Sequence, residues 1–287
     1  DELNIGIYDR QGNMVFHKLA TRELTTENSY FAEIDVKPGQ YDIIAWCEGP
    51  KTVDDAVSFE LSGQTVGSAK TTSGASISLI SSATGVYFNQ PLRPLFYGSL
   101  TDVEFPDSYG TVDLPTVSLI KDTNRILVQL QNMDGQPLDP SNVSFELEAR
   151  NSKLNSLNSL SSDVRFSYRP WYVSPMFADT ESRASLEDGE LPSGVQAEFS
   201  TGRILAGVEQ WLTVKQAQTG NVIFRIPMVQ YLLMVRGYYE GKLSAQDYLD
   251  ACDNYSMVFF IDENYTWLKS HIYINNWRVV PPQDENL

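Results

Sequence analysis

The chain has few of the side chains on which most enzyme chemistry depends. Its 287 residues include only two cysteines and two histidines. Cys47 and Cys252 lie far apart in the sequence, so they form neither a zinc-ligand spacing nor a redox CxxC pair. Motifs of serine hydrolases, zinc proteases, phosphate-binding loops and dinucleotide folds are also missing. We therefore expect free thiols, no metal, no cofactor and no catalytic residues.

Long apolar runs and an excess of positive charge are lacking as well. The longest apolar run lies near residues 227–235, is interrupted by Gln230, and is much shorter than the roughly 20 residues that span a bilayer. The 21 basic and 37 acidic residues give a net charge of −16, which repels nucleic acid and anionic membranes. No basic or apolar leader precedes the first strand pattern, so we expect any leader to have been removed or never present.

Strand-forming sequence is abundant. Hydrophobic residues make up 42% and aromatic residues 11% of the chain, which favours sheets because aromatic side chains pack well on pleated faces. Apolar and polar residues alternate over 143–149, which predicts a half-solvated antiparallel strand with one buried face. That face consists of Val143, Phe145, Leu147 and Ala149. The fold class expected is all-β.

A second strand is predicted after the Pro-Gly turn that begins at residue 38, and its sequence shows which residues lie on each face. One face, which we predict lies in the core, consists of Tyr41, Ile43, Ala45 and Cys47. Ile44 and Trp46 point the other way, so both faces of this strand are expected to be covered.

Short helices and loops are predicted between the strands. Ser244 and Asp247 can form a capping box at the start of one helix, and Pro227 can open another. Residues 62–84, rich in Ser, Thr, Gly and Ala, are expected to form an exposed loop or weak edge strands. Residues 151–162 are expected to form a loop with a helical turn, because Asn and Ser weaken a helix.

The length and the strand pattern predict two domains. The chain exceeds the roughly 150 residues that are typical of one domain. The apolar strand pattern stops and restarts between residues 110 and 122. Close-spaced strands without a repeated βαβ signal favour β-sandwiches with Greek-key-like connections. We therefore predict an N-terminal sandwich over 1–118 and a C-terminal sandwich over 119–287.

A few residues could still form a catalytic or ligand-binding site. Asp54–Asp55 and the acidic cluster 187–190 could act as a glycosidase pair or hold calcium, but both lie in loop-like sequence, where solvated charge is the simpler interpretation. His17 and His271 lie in apparent strands without a nucleophile motif, which favours structural or surface roles. The aromatic stretch 168–172 could stack on a sugar, although core packing beside a proline turn explains such residues more often.

Several segments, taken in order, resemble a known family. They are Leu3–Asp9, Pro38–Trp46, Leu95–Gly98, Val117–Val128 and Trp267–Val280. This order is similar to that in the anchor-type and accessory subunits of the type V fimbriae of Bacteroides-like bacteria, the major- and minor-fimbria anchor proteins. The resemblance implies two consecutive transthyretin-like β-sandwich domains, and the helix signals at Pro227 and Ser244 place one or two short helices in the second.

The same resemblance implies a function at the cell surface. It implies a non-enzymatic anchor or accessory subunit that attaches or assembles fimbriae at the outer membrane, with other fimbrial subunits as partners. It also implies a precursor that carries a lipid on an N-terminal cysteine, which this chain lacks because it starts at Asp1. The alternatives are a surface glycan-binding protein and a β-sandwich glycoside hydrolase.

The last apolar segment, residues 271–280, is predicted as one strand with isoleucines on one face and Tyr273 and Trp277 on the other. Such a strand is either central or an edge that awaits a partner. Pro281 follows and cannot extend a ladder. We predict that this strand lies at or next to the surface that engages another subunit. Its partner-strand candidates are Ile272, Ile274, Trp277 and Val279.

Overall fold

A computed structural model of the protein describes residues 2–21, 30–50, 56–67, 69–70, 76–79, 87–161, 164–177, 193–239 and 243–280. The contacts divide the chain into two units. Unit 1 consists of Asp1–Ile80, Leu92–Thr123 and Asn151–Val164, and unit 2 of Ser81–Pro91, Asn124–Arg150 and Arg165–Leu287. The division into folding domains at residues 118 and 119 stays a prediction.

The described residues are predominantly β, which confirms the predicted fold class. The strands are β1 (Glu2–Tyr8), β2 (Met14–Thr21), β3 (Gly39–Glu48), β4 (Phe59–Ser62), β5 (Ser76–Leu79), β6 (Tyr87–Phe88), β7 (Leu95–Phe105), β8 (Ile120–Lys121), β9 (Thr123–Asn132), β10 (Val143–Ala149), β11 (Lys153–Asn155), β12 (Phe166–Tyr168), β13 (Tyr172–Met176), β14 (Gly194–Gly202), β15 (Trp211–Gln216), β16 (Val222–Pro227), β17 (Asn254–Ile261), β18 (Trp267–Ile274) and β19 (Trp277–Val279). The helices are α1 (Met228–Leu233) and α2 (Ala245–Ala251), with 3₁₀ turns at Pro140–Asn142 and Arg236–Tyr238.

Unit 1 contains a five-stranded sheet in the order β2-β1-β3-β7-β8 and a three-stranded sheet in the order β11-β5-β4. In the larger sheet, β1 and β3 are antiparallel and Ile7 lies opposite Ile43. One buried cluster on this sheet consists of Ile5, Ile7, Ile43, Val103 and Phe105, with Tyr41 packed against it. Ile44 and Trp46, on the other face of β3, are also buried. Both predictions for this strand are confirmed.

The smaller sheet corrects two predictions. Residues 76–79, expected in a loop or weak edge strand, form the middle strand β5, and residues 153–155 pair with β5 as β11 instead of forming a helical turn. The side-chain oxygens of Ser62 and Ser76 are 2.7 Å apart across the β4–β5 pair. Cross-strand contacts of this kind stabilise a sheet whose residues have low strand propensity, which sequence propensity alone does not detect.

Unit 2 contains a five-stranded sheet in the order β16-β15-β10-β12-β6 and a six-stranded sheet in the order β13-β14-β9-β17-β18-β19. Strand β10 pairs antiparallel with β12 and β15, and its four alternate apolar residues are buried, as predicted. In the six-stranded sheet β9 and β17 are parallel. The isoleucine, valine and leucine side chains at 126, 128 and 130 of β9 are fully buried.

Both predicted helices are present in unit 2. The Ser244 hydroxyl accepts a hydrogen bond from the Asp247 amide, and the Asp247 carboxylate accepts one from the Ser244 amide, which completes the capping box of α2. Pro227 occupies the N-cap position of α1. Among the described residues, no helix is long and apolar enough to cross a membrane.

Candidate functional site

The predicted C-terminal strand is a hairpin. Residues 271–280 were expected to form one strand, but β18 ends at Ile274 and β19 begins at Trp277. The two residues between them, Asn275 and Asn276, have φ values of 47° and 69°. Two consecutive positive φ values are typical of the tight turn that joins two twisted strands, and asparagine tolerates this conformation better than most residues. The single-strand prediction is therefore wrong.

The hairpin also changes the predicted side-chain directions. Ile274 lies directly opposite Trp277, and Ile272 opposite Val279. Directly opposite residues in an antiparallel pair point to the same face. Trp277 therefore shares the face of the isoleucines and not that of Tyr273, contrary to the prediction. Ile272 and Ile274 are fully buried and Val279 is nearly so, so these side chains stabilise unit 2 from within.

Trp277 is the exposed member of the predicted set, with 45% of its surface accessible. Its indole stacks on the ring of Tyr238 in the 3₁₀ turn, with ring centroids 4.2 Å apart. The neighbouring Tyr239 hydroxyl accepts a hydrogen bond of 3.4 Å from the side-chain amide of Asn275. These contacts form an exposed group that we call the hairpin aromatic surface, made of Tyr238, Tyr239 and Trp277.

Sequence reasoning missed Tyr238 and Tyr239. The signal available was two adjacent aromatic residues that follow Gly237 in a polar stretch, which is an unusual place for core residues. Nothing in that segment pointed to Trp277, because the two stretches are distant in the chain and only the fold brings them together.

Strand β19 is the last strand of its sheet, and within the described residues it pairs only with β18. Its three residues are held to the hairpin partly by Arg278, whose guanidinium donates two hydrogen bonds to the main-chain oxygen of Ser270. The outer main-chain groups of an edge strand are available to another strand. The hairpin therefore places an edge strand, with β18 as its one partner among the described strands, beside the hairpin aromatic surface.

Each of the two histidines has a local side-chain partner among the described residues. The Nε2 atom of half-buried His17 lies 3.4 Å from the side-chain oxygen of Asn4, and burial lowers the pKa of His17. His271 Nδ1 lies 2.9 Å from the Ser270 hydroxyl. The same residues contain no group of three or more His, Cys, Asp or Glu that could hold a metal.

The two cysteines and the two acidic clusters are further candidates from the sequence. Cys47 and Cys252 both carry free thiols, and burial raises the pKa of each. Asp54–Asp55 and the acidic cluster 187–190 lie outside the described residues.

The aromatic stretch 168–172 is partly a core element. Tyr168 is fully buried, and its hydroxyl accepts a hydrogen bond of 3.2 Å from the Gly202 amide. Trp171 and Tyr172 lie nearer the surface, with ring centroids 5.8 Å apart. Tyr172 is 48% exposed and lies on β13, at the opposite edge of the six-stranded sheet from β19. The predicted sugar platform is therefore reduced to two rings.

Comparisons with known proteins agree with the sequence resemblance. The family model for Mfa2, described as fimbrillin-A associated anchor proteins Mfa1 and Mfa2, matches residues 1–281. No curated protein is a match for this chain.

Several solved structures share the fold. A candidate adhesin from Bacteroides thetaiotaomicron is 29% identical, with a TM-score of 0.76 over 96% of this chain and 89% of that one. A candidate polysaccharide-binding protein from the same species is 24% identical, with a TM-score of 0.77 over 99% and 91%. The fimbrial anchor protein Mfa2 from Porphyromonas gingivalis is 17% identical, with a TM-score of 0.65 over 96% and 89%.

Proposed function

Because the chain belongs to the family of fimbrillin-A associated anchor proteins, we propose that it attaches fimbriae to the outer membrane as a non-enzymatic anchor or accessory subunit, through strand-mediated contacts with other fimbrial subunits. The observation that carries this proposal is the match of the family over nearly the whole chain. An anchor of this kind needs no catalytic residue, since its work is done by binding.

The C-terminal hairpin is the part of unit 2 that we propose contacts a neighbouring subunit. Among the described strands β19 has a partner on one side, which leaves its other edge for main-chain hydrogen bonds, and Trp277 and Tyr238 offer an exposed apolar surface beside it. Strand addition commonly combines these two elements, because main-chain bonds supply affinity and side-chain contacts supply specificity. Ile272, Ile274 and Val279 would act indirectly, by holding the hairpin in place.

Attachment to the membrane would come from the precursor. In this proposal a lipid on an N-terminal cysteine of the precursor holds the protein at the outer membrane. Mass spectrometry of the protein isolated from cell envelopes tests this part. A lipid-modified N-terminal peptide is expected, and an unmodified protein released into the medium would contradict it.

The binding test uses purified full chain and fimbrial shafts isolated from cells that lack this protein. Trp277→Ala should weaken shaft capture by about tenfold or more, the loss typical of a central aromatic contact. Tyr172→Ala is the matched control, because Tyr172 has a similar exposure on the opposite edge of the same sheet. Equal capture by wild type and Trp277→Ala, with loss in Tyr172→Ala, would place the contact at the other edge.

Glycan binding is the second candidate function. It is favoured by the similarity to the candidate polysaccharide-binding protein and by the exposed rings of the hairpin aromatic surface, because aromatic faces stack on sugars. A glycan array distinguishes the two functions. Saccharide binding that Trp277→Ala abolishes, without any shaft capture by the wild type, would favour the glycan-binding protein.

A further inference from the structure

The six-stranded sheet of unit 2 contains very little negative charge. Its strands β13, β14, β9, β17, β18 and β19 carry a single carboxylate, that of Glu198, although 37 of the 287 residues of the chain are acidic. The Glu198 side chain is 8% exposed and forms an ion pair with Arg125. This sheet is therefore the exception in a chain whose net charge is −16.

The other cations of the sheet also have partners. The Arg278 guanidinium donates two hydrogen bonds to the main-chain oxygen of Ser270. The Lys269 ammonium lies over the ring of Trp267, 5.5 Å from the ring centroid. A ligand of either charge would therefore have to compete with contacts that the sheet already makes.

The side of this sheet that faces away from the core presents amide groups. In β9 and β17 every second residue is buried, so the residues between them point outward. Gln129 and Gln131 of β9 and Gln196 of β14 are such half-buried outward residues. The Gln196 amide donates a hydrogen bond of 2.8 Å to the Ser174 hydroxyl on β13. We call this outer side of the six-stranded sheet the neutral face.

Aromatic rings lie towards both ends of the neutral face. Tyr172, on the edge strand β13, lies directly opposite Glu198 and is 48% exposed, and its ring centroid is 5.8 Å from that of Trp171. Towards the other edge, the half-buried rings of Phe260 and Tyr273 have centroids 6.1 Å apart. Neighbouring strands are about 4.8 Å apart, so the four steps from β13 to β18 span about 19 Å.

This combination suits an uncharged ligand that is rich in hydroxyl groups. Side-chain amides both donate and accept hydrogen bonds, as hydroxyl groups do, and aromatic faces stack on the apolar faces of sugar rings. The net charge of the chain repels an anionic polymer. A protein partner usually contacts a central cluster of aromatic or apolar anchors, whereas here glutamines lie between the two groups of rings.

We propose that the neutral face binds an uncharged polysaccharide, whose chain lies across the strands from Tyr172 to Tyr273. The rings at the two ends stack on sugar rings, and the glutamine amides between them bind sugar hydroxyls. This function goes beyond the attachment of fimbriae and does not depend on it. The site is also separate from the hairpin aromatic surface, because Trp277 lies on the face of the sheet opposite to that of Tyr273.

The test is native electrophoresis of the full chain through gels that contain one dissolved polysaccharide each. Galactomannan, mixed-linkage β-glucan and arabinoxylan are the uncharged probes, and polygalacturonate is the acidic one. At least one uncharged polymer should retard the wild type. Tyr172→Ala and Tyr273→Ala should each weaken that retardation by about tenfold. Tyr273→Phe, which keeps the ring and guards against a variant that fails to fold, should be retarded like the wild type.

Trp277→Ala is the matched control, because Trp277 has an exposure similar to that of Tyr172 but lies on the other side of the sheet. It should be retarded like the wild type. Retardation should also be the same at low and high salt, because salt screens only interactions between charges. Oligosaccharides cut from the retarding polymer should compete, whereas its monosaccharide, which is too short to reach both groups of rings, should not.

Two results would overturn the proposal. One is the absence of retardation by every uncharged polymer, and the other is a loss of retardation in Trp277→Ala as large as that in Tyr172→Ala. If no polymer retards the wild type and both Tyr172→Ala and Tyr273→Ala lose capture of fimbrial shafts, the neutral face belongs to a protein partner instead.

Discussion

The indole of Trp277 lies parallel to the phenol ring of Tyr238, with ring planes 6° apart and centroids separated by 4.2 Å. Trp277 belongs to the edge strand β19 and Tyr238 to the 3₁₀ turn after α1. The contact therefore joins two segments that the sequence separates. Both rings remain about half exposed, at 45% and 55%, so the pair combines a structural contact with an accessible surface.

A double-mutant cycle of Trp277→Ala and Tyr238→Ala should give a coupling free energy of about 0.5–1.5 kcal/mol, the range measured for aromatic pairs. Chemical denaturation of the four proteins provides the measurement. A cycle of Trp277→Ala with Tyr172→Ala is the control, because these residues lie at opposite edges of the sheet and their effects should add. Additive effects in the first cycle would mean that the stacking makes no energetic contribution.

Ile43→Asp should unfold unit 1. Ile43 is 4% exposed and packs among Ile5, Ile7 and Val103, and an unpaired charge there costs several kcal/mol out of a total stability of about 5–15 kcal/mol. Leu19→Asp, at a 58% exposed position on β2, should change the free energy of unfolding by no more than about 0.5 kcal/mol. Circular dichroism during thermal unfolding distinguishes the two, and an unchanged melting temperature in Ile43→Asp would contradict the core assignment.

Asp250→Ala should destabilise unit 2 by about 3–5 kcal/mol, the usual result of leaving one member of a buried ion pair alone. The Arg203 guanidinium donates two hydrogen bonds to the Asp250 carboxylate, at 2.9 and 2.6 Å, and Gln246 donates a third. Lys215→Ala breaks the exposed contact with Glu146 and should cost no more than about 1 kcal/mol. Urea unfolding measures both, and similar losses in the two variants would contradict the prediction.

The free energy of unfolding should depend on pH through His17. Burial lowers the pKa of His17 in the folded protein, so the unfolded chain binds the proton more readily. This contribution to stability is present above the unfolded pKa of about 6.5 and is lost as the pH falls below it. His17→Gln should reduce the loss of stability between pH 7 and pH 5, as followed by urea titration. Identical pH dependence in wild type and variant would contradict the assignment.

The sequence predicts those parts of the fold in which local pattern and tertiary structure agree. The alternation over 143–149, the capping box at Ser244 and the two covered faces of the strand after residue 38 all appear as predicted. In each case the local spacing of the residues is compatible with a single structure, and that structure also suits the tertiary fold.

Elsewhere the local sequence pattern is weak, or it is compatible with two different structures. Strand β5 has few strand-forming residues and depends on β4 and β11 for its pairing. The pair Asn275–Asn276 permits either a continuing strand or a tight turn, and only the positive φ values of the structure decide between them. Residues 31–36 have the opposite property, since exposed and half-buried residues alternate along them as in a strand, but no described strand pairs with them. The part of the candidate site that the sequence identified was Trp277, whereas its partner Tyr238 required the fold.

The pairing of β5 with β11 has a consequence for the order in which the protein can be completed. The two strands belong to unit 1, but the chain forms β9 and β10 of unit 2 before it reaches Lys153. During synthesis or export from the amino terminus, the smaller sheet of unit 1 therefore cannot be completed until part of unit 2 has emerged. Until then β5 lacks one of its two partner strands. Released, truncated chains that end shortly before Lys153 and shortly after Asn155 should differ in protease resistance within β4 and β5.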